Sequence, residues 1–383
     1  MSTTQRTVID VHVVQTVPPS NLNRDDTGSP KTATYGGVRR ARVSSQAWKR
    51  AARRDFEQYL DATDLGTRTK RVVELVADAI RKADSSVNGD EALKAAEDVL
   101  TAASIAVKEP RVKKGEVAGP KESGYLLFLS AQQIAALADV ARTSLATGEK
   151  IDKKAAQALV KGKNSIDLAL FGRMVADVSD LNVDASCQVA HSLSTHAVET
   201  EYDFFTAVDD HKAEDSAEDA GAGMIGTVEF NSSTLYRYAT VDVDKLRTNL
   251  GDDEATTRAV GAFLRSFVRS MPGGKQNTFA NRTLPDAVVV TVRSDQPVSL
   301  VGAFEEPVTE TFEGGRVRRS VEKLAAHAAE VEAAWGGRPV ATWVVGVGAA
   351  GAALESLGER VAFDELVDAA TRTVSGRLAP VLA

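Results

Sequence analysis

Between about residues 61 and 170 the chain carries almost nothing but helical periodicity, in Ala-rich runs such as TKRVVELVADAIRKA, DEALKAAEDVLTAA, SAQQIAALADVARTSL and DKKAAQALVKG. Strand-like alternation lies on both sides of this stretch, so any sheet must close across it. The expected fold is therefore α+β with an all-helical insertion. Before the insertion, TVIDVHVVQT sets Ile9, Val11 and Val13 on one strand face and Asp10, His12 and Val14 on the other, and a short basic strand spans 38–43. After it, strand character returns over 227–243, 287–293 and 340–347. A helix striped with Val260, Phe263, Leu264, Phe267 and Val268 lies between the first two of these. This order is that of a split βαβ, ferredoxin-like (RRM-like) sheet. With 383 residues the chain has room for two to three domain-sized units, and with only 5% aromatics its core must be aliphatic.

Charge is distributed unevenly. The whole chain is acidic, with 46 basic against 53 acidic side chains, yet residues 1–54 hold ten Arg and Lys against three Asp. A basic segment on an acidic protein marks a local polyanion site, unless it is only a solvated face. In the alternation of 38–43, Arg40, Arg42 and Ser44 share one face, expected to point outward, and Arg39, Ala41 and Val43 share the other. Ser44 or Ser45 is a natural N-cap for a helix running to about Tyr59. Its apolar stripe is Trp48, Ala52, Phe56 and Tyr59, and its opposite face carries Gln46, Lys49, Arg50 and Arg53.

Motifs for enzyme chemistry are weak. One cysteine, Cys187, excludes an internal disulfide or a multi-cysteine metal site, and the absence of a signal-like or spanning apolar run points to the cytoplasm. GVGAAG at 346–351 matches a dinucleotide fingerprint, but only helix-like sequence follows it, so its glycines read as close helix–strand packing. The turn PGGK at 272–275 lacks the rest of a phosphate loop; Lys275, Gln276 and Asn277 could still reach a phosphate or a base, or form an exposed loop. His191 and His196 would stand about 140° apart on a helix, which suits core or capping roles rather than zinc. Cys187 with His191 lacks an orienting third group and reads as a buried thiol. Asp203, Asp209 and Asp210 fit a solvated loop better than a metal cluster. No cofactor and no metal are expected. Phe204 and Phe205 are harder to place: adjacent aromatics in a strand face opposite ways, so one can dock on a partner or stack on a base.

Six segments occur in one order: LNRDD (22–26), YGGVRRARVSSQAWKRAAR (35–53), FGRM (171–174), AHSLSTHAVETEYDFFTAVDD (190–210), LYRYA (235–239) and PGGKQNTFA (272–280). Together they resemble the CasC family, the repeated backbone subunit of the type I-E CRISPR surveillance complex, Cascade. The resemblance implies a hand-like molecule with an RRM-like palm (1–56, 181–197 and 235–383), a helical finger insertion (57–180) and a protruding thumb hairpin (198–234). It implies that copies stack as a filament along one crRNA guide, kink it at intervals and present it for pairing with target DNA, beside other Cascade subunits and away from membranes. The palm residues implied to hold guide phosphates are Arg24, Lys31, Arg40, Arg42, Ser44, Gln46, Lys49, Arg50 and Arg53. Their chemistry suits the role, since Arg offers forked donors, the Ser44 helix start offers N–H groups, and Lys49 and Arg53 lie one turn apart. Met174 would wedge beside a kinked base, with Phe204, Phe205 and Thr206 as the thumb's contact and Lys275 and Gln276 as further RNA contacts. No catalytic residue is implied. The alternatives are a nucleotide-dependent enzyme or metal nuclease, and a general single-stranded RNA-binding protein acting alone.

Overall fold

The computed structural model describes residues 6–112, 118–175, 179–207, 224–310 and 315–379. The chain divides into two compact units, the first made of Met1–Asp55, Val189–Thr240 and Phe263–Thr373, the second of Phe56–Gln188, Val241–Ala262 and Val374–Ala383. Together they give a mixed α+β architecture with one large sheet.

That sheet organises the first unit. Its centre is β1 (Val8–Ser20), flanked by Ala287–Arg293 on one side and Met224–Asp242 on the other. Beyond Ala287–Arg293 come Ala341–Gly346 and a two-residue parallel strand, Glu359–Arg360. On the other side follow Ser192–Ser194, β3 (Val38–Val43) and β2 (Thr32–Tyr35). β1 pairs antiparallel with Ala287–Arg293 from Val8↔Arg293 to Val14↔Ala287. Being central and covered on both faces, it buries Val8, Ile9, Val11, Val13 and Val14 together. The alternation of Asp10 and His12 against these valines therefore does not mark a wet face. Asp10 accepts from Tyr238 Oη and the Val298 N–H, and His12 Nδ1 meets Tyr236 Oη at 2.9 Å. Burial pushes the Asp10 carboxyl up and holds His12 down at about 3, so the ring is neutral.

Two apolar clusters seal the sheet. Helix Arg316–Trp335 lays Val321, Leu324 and Ala325 against Val14, Tyr236, Val289, Phe304 and Val344. On the other side α1 (Ser45–Asp55) sets Trp48 among Val17, Leu22, Ala41, Val43, Val198, Leu235 and Met271. The helix stops at Asp55 and tightens into a 3-10 turn, Phe56–Gln58, earlier than its apolar stripe suggests. Under α1 lies Arg237, fully buried, its guanidinium 3.7 Å from the Trp48 ring centroid and 4.7 Å from that of Phe267. It donates to Gln15 Oε1 and to the carbonyls of Phe267 and Val268. A buried cation costs several kcal/mol unless such acceptors and ring faces offset the loss of water.

The second unit is helical at its centre. α2 (Val72–Ala83), α3 (Gly89–Ala102) and α4 (Ala131–Thr147) pack through Val73, Val76, Ile80, Ala96, Val99, Leu100 and Leu137, joined by Val160 of α5 (Lys153–Lys161). Capping boxes open two of these helices, Asn88 with Glu91 and Ser130 with Gln133, each satisfying N–H groups that a helix start leaves bare. The unit is not all helix. Gly66–Thr69 pairs with Leu127–Ser130, and Val107–Lys108 with Glu122–Ser123. Ladders of four and two residues are too short to leave an alternation signal, which is why the sequence reads as helix throughout. No helix among the described residues is long and apolar enough to cross a membrane.

Candidate nucleic-acid interface

In the first unit, hydrogen bonds and close packing join the 21–31 loop, the 272–275 turn and strand Met224–Asp242 beside the start of α1. Asn21 Nδ2 donates to the carbonyls of Gly28 and of Glu229 in strand Met224–Asp242. Asn23 Oδ1 accepts the Ser44 N–H, and the Asn23 carbonyl accepts the Lys31 N–H. A Cβ on Gly274 would stand 2.2 Å from the Leu22 carbonyl oxygen, so only glycine lets the 272–275 turn approach this closely. Phe279 stacks at a tilt on Phe230, 5.6 Å between centroids. The result is one platform.

Its accessible charged side chains are mostly cationic, with Asp25 and Asp26 exposed beside Arg24. Arg24, Gln46, Arg50 and Arg54 are exposed, while Lys31, Lys49, Arg53 and Lys275 are half-buried. The first turn of α1 holds no acid to compete for an anion, and Arg53 and Arg54 sit in its last turn. Ser44 is buried rather than outward-facing, and it caps this helix start, its Oγ accepting the Ala47 N–H. Lys275 adopts a left-handed φ of +51° to start the short helix Gln276–Phe279, with Gln276 exposed.

Arg40 corrects the expectation of an outward face shared with Arg42. It is fully buried, and its guanidinium donates to the carbonyls of Tyr35, Ser194, Phe304 and Glu305. From Arg40 to Val43 the residues on both faces of β3 are buried or half-buried, so alternation does not separate wet from dry there. Arg40 tethers the 304–305 segment to the sheet and is not placed to meet a phosphate. Arg42 is half-buried instead: Nε donates to the Thr32 carbonyl and Nη1 lies 3.1 Å from His191 Nδ1.

His191 and His196 are not on a helix; they flank the strand Ser192–Ser194. His196 is buried between the Ala197 carbonyl and the Thr234 N–H, a capping role. His191 is exposed beside Arg42, a position helical spacing could not reveal. Partial burial, then the charges of Arg42 and Lys31, lower its pKa.

The two aromatics belong to a hairpin in which Glu201–Ala207 pairs antiparallel with Met224–Asp242 from Glu201↔Phe230 to Ala207↔Met224. Phe204 is 65% exposed and Phe205 39%, and Thr206 is exposed. Phe205 faces Gly226 across the ladder, and its ring occupies the space of the missing side chain: a Cβ there would be 2.3 Å from Phe205 Cζ. Tyr202, 67% exposed, shares a face with Phe204, a stripe that the period of two in EYDFF could have shown. The acidic tract with Asp209 and Asp210, within 208–223, lies outside the described residues.

In the second unit the FGRM segment divides by role. Phe171 stacks on Phe56, Gly172 takes a φ of +76° against the Val183 carbonyl, and Arg173 is buried, donating to the carbonyls of Leu181, Phe128 and Val160. Burial brings the Arg173 pKa down to about 10, so it stays charged at neutral pH. These three fix the backbone from which Met174 projects, 87% exposed.

The enzyme-like motifs have structural explanations. A parallel strand, Glu359–Arg360, does follow GVGAAG, contrary to the helical reading of that stretch. Yet a Cβ on Gly346 would lie 2.3 Å from Gly351 Cα, and one on Gly351 2.5 Å from the Arg360 guanidinium, so the glycines are filled by close packing. Cys187 is a buried thiol. Among the described residues, no three His, Cys, Asp or Glu side chains gather as a metal site.

The sequence profile of the CT1975-like protein family matches residues 9–369. Two similar solved structures are chains of a "CRISPR RNA-guided surveillance complex, pre-nicking" and a "CRISPR RNA-guided surveillance complex". The first is 34% identical with a TM-score of 0.83, over 96% of this chain and 100% of that one. The second is 29% identical with a TM-score of 0.72, over 96% and 99%. No curated protein sequence matches.

Proposed function

The chain belongs to the CT1975-like protein family, and from that premise we propose that it is a guide-RNA-binding backbone subunit of a CRISPR surveillance complex, of the CasC type. In this reading residues 1–56, 181–197 and 235–383 form an RRM-like palm, 57–180 the finger and 198–234 the thumb. Copies stack along one crRNA with other Cascade subunits, and the guide is kinked and offered to target DNA. The observation that carries the proposal is the platform: on an acidic chain, Arg24, Lys31, Gln46, Lys49, Arg50 and Arg53 are exposed or half-buried on the segments it joins, and Arg42 is half-buried on the adjoining strand β3. Contacts of this kind go to phosphates and carry no sequence information, which suits a subunit that must accept any guide. Target choice is then left to base pairing. Met174, Phe204, Phe205 and Thr206 supply exposed apolar and polar surface for unstacked bases, and Lys275 and Gln276 extend the platform. The subunit acts without a catalytic residue or cofactor, in the cytoplasm.

The test is co-expression of the full chain with its neighbouring operon proteins and a CRISPR array, followed by tag purification and sequencing of bound RNA. A uniform guide-length RNA in a large particle of fixed stoichiometry is expected. Heterogeneous cellular RNA on a monomer would overturn the backbone role.

A further inference from the structure

We propose that His191 is a guide-phosphate contact whose hydrogen-bonding state is set by Arg42, so that RNA binding by this subunit is coupled to proton uptake at this one ring. The inference rests on the guide-binding reading above and adds a residue and a linkage to it.

The geometry starts from register. Strand Ser192–Ser194 pairs antiparallel with β3 through Arg42↔Leu193 and Val43↔Ser192. The residue before that strand is thereby carried alongside the Arg42 side chain, and Arg42 Nη1 lies 3.1 Å from His191 Nδ1. An arginine is always protonated and can only donate, so Nδ1 must present its lone pair. The neutral ring then carries its proton on Nε2. An exposed N–H donor thus stands beside Arg42, close enough to Lys31 to feel its charge.

The charges acting on the ring are Arg42 from β3 and Lys31 from the loop that leads into β2; both oppose a proton on it. The Lys31 backbone is fixed there, its carbonyl accepting the Arg42 N–H and its own N–H going to Asn23. A phosphate arriving among the three groups reverses the balance. Its charge compensates Arg42 and Lys31, the ring takes a proton at Nδ1, and the Arg42 N–H released from that nitrogen turns to a phosphate oxygen. One proton is taken from solvent and no covalent bond changes. His196 offers no such group, because both its ring nitrogens are engaged in the core.

The test uses the purified full chain and a fluorescein-labelled single-stranded RNA of guide length, with Kd measured by anisotropy from pH 8 to 5.5 at constant ionic strength. Wild type is expected to bind about fivefold more tightly at the acidic end, within the roughly tenfold per pH unit that one linked proton can supply. His191→Gln keeps a neutral donor but cannot take up the proton, so whatever its affinity at pH 8 it should show no tightening below; His191→Ala should be flat as well and weaker throughout. Equal pH slopes in wild type and His191→Gln would overturn the linkage while leaving the platform intact. Absence of RNA binding by wild type at every pH would overturn the guide-binding reading itself, and the linkage with it. Matching circular dichroism and thermal midpoints for the variants show that the comparison is between folded proteins.

Discussion

Arg40 and Arg42 are two residues apart on one strand and ought to respond to truncation in opposite ways. Arg40→Ala withdraws the donors from four carbonyls, those of Tyr35, Ser194, Phe304 and Glu305. The Ser194 and Phe304 bonds are buried, and each stranded acceptor there costs about 1–3 kcal/mol, while the partly exposed pair costs about 0.5 each. Removing a buried guanidinium returns part of this, because burial already works against its charge and lowers its pKa. The net loss is about 3 kcal/mol, which at about 2–4 °C per kcal/mol lowers the melting midpoint by about 6–12 °C. Arg42→Ala removes a half-buried side chain with one carbonyl bond and one histidine contact, costing about 0.5 kcal/mol. Its effect should appear in guide binding instead, as a loss of about 0.7 from the slope of log K against log salt, the share of one single-strand phosphate contact. Differential scanning calorimetry and a salt titration of RNA binding read the two effects separately. An Arg40→Ala protein that melts like wild type but binds RNA weakly would refute the separation, as would an Arg42→Ala protein destabilised to the same degree.

Three further outcomes are expected. Gly226→Ala forces the Phe205 ring from its seat at a cost of about 0.5–1.5 kcal/mol, so calorimetry should show a small shift while anisotropy shows weaker RNA binding; unchanged binding would deny the ring's placement a role. Met174→Ala removes a side chain that is 87% exposed: stability should change by less than about 0.5 kcal/mol, while the nuclease protection pattern of bound guide loses its regularity, and a large loss of stability would contradict the exposure. His12, neutral in the fold with a pKa of about 3 against an ordinary 6.5, leaves the unfolded chain to take up the proton as pH falls below 6.5. Stability should therefore drop by up to about 1.4 kcal/mol per pH unit on acidification, offset at the acidic end by Asp10, whose raised pKa favours the folded state there. Urea midpoints at pH 7 and 5 should show this loss in wild type and less of it in His12→Asn; equal losses would discount the ring.

Much of the fold was legible because its signals are local. The strand over 38–43, the strand at Ala287–Arg293 and the buried stripe from Val260 to Val268 follow from periodicity within one segment. The basic character of α1 is legible for the same reason. What escaped depends on covering by distant segments: Arg40 occupies a position that alternation assigns to an outer face, Asp10 and His12 alternate with the apolar positions of β1, and each is buried by partners from far along the chain, Tyr236, Tyr238, Val298 and Phe304 among them. His191 escaped because its neighbour Arg42 is 149 positions away, a proximity created by strand pairing alone. The hairpin stripe of Tyr202 with Phe204 was within reach of a period-two reading, and the short ladders of the second unit were not.

The platform's loops are joined through Asn21, Asn23, the missing side chain of Gly274 and main-chain carbonyls and amides, whereas its charges stand on other residues. Framework and grip are therefore separately adjustable. A library varied at Arg24, Lys31, Gln46 and Arg50 would tune how tightly a polyanion is held, release rate included, without disturbing what keeps the loops in place, and selection can move along the same axis one residue at a time.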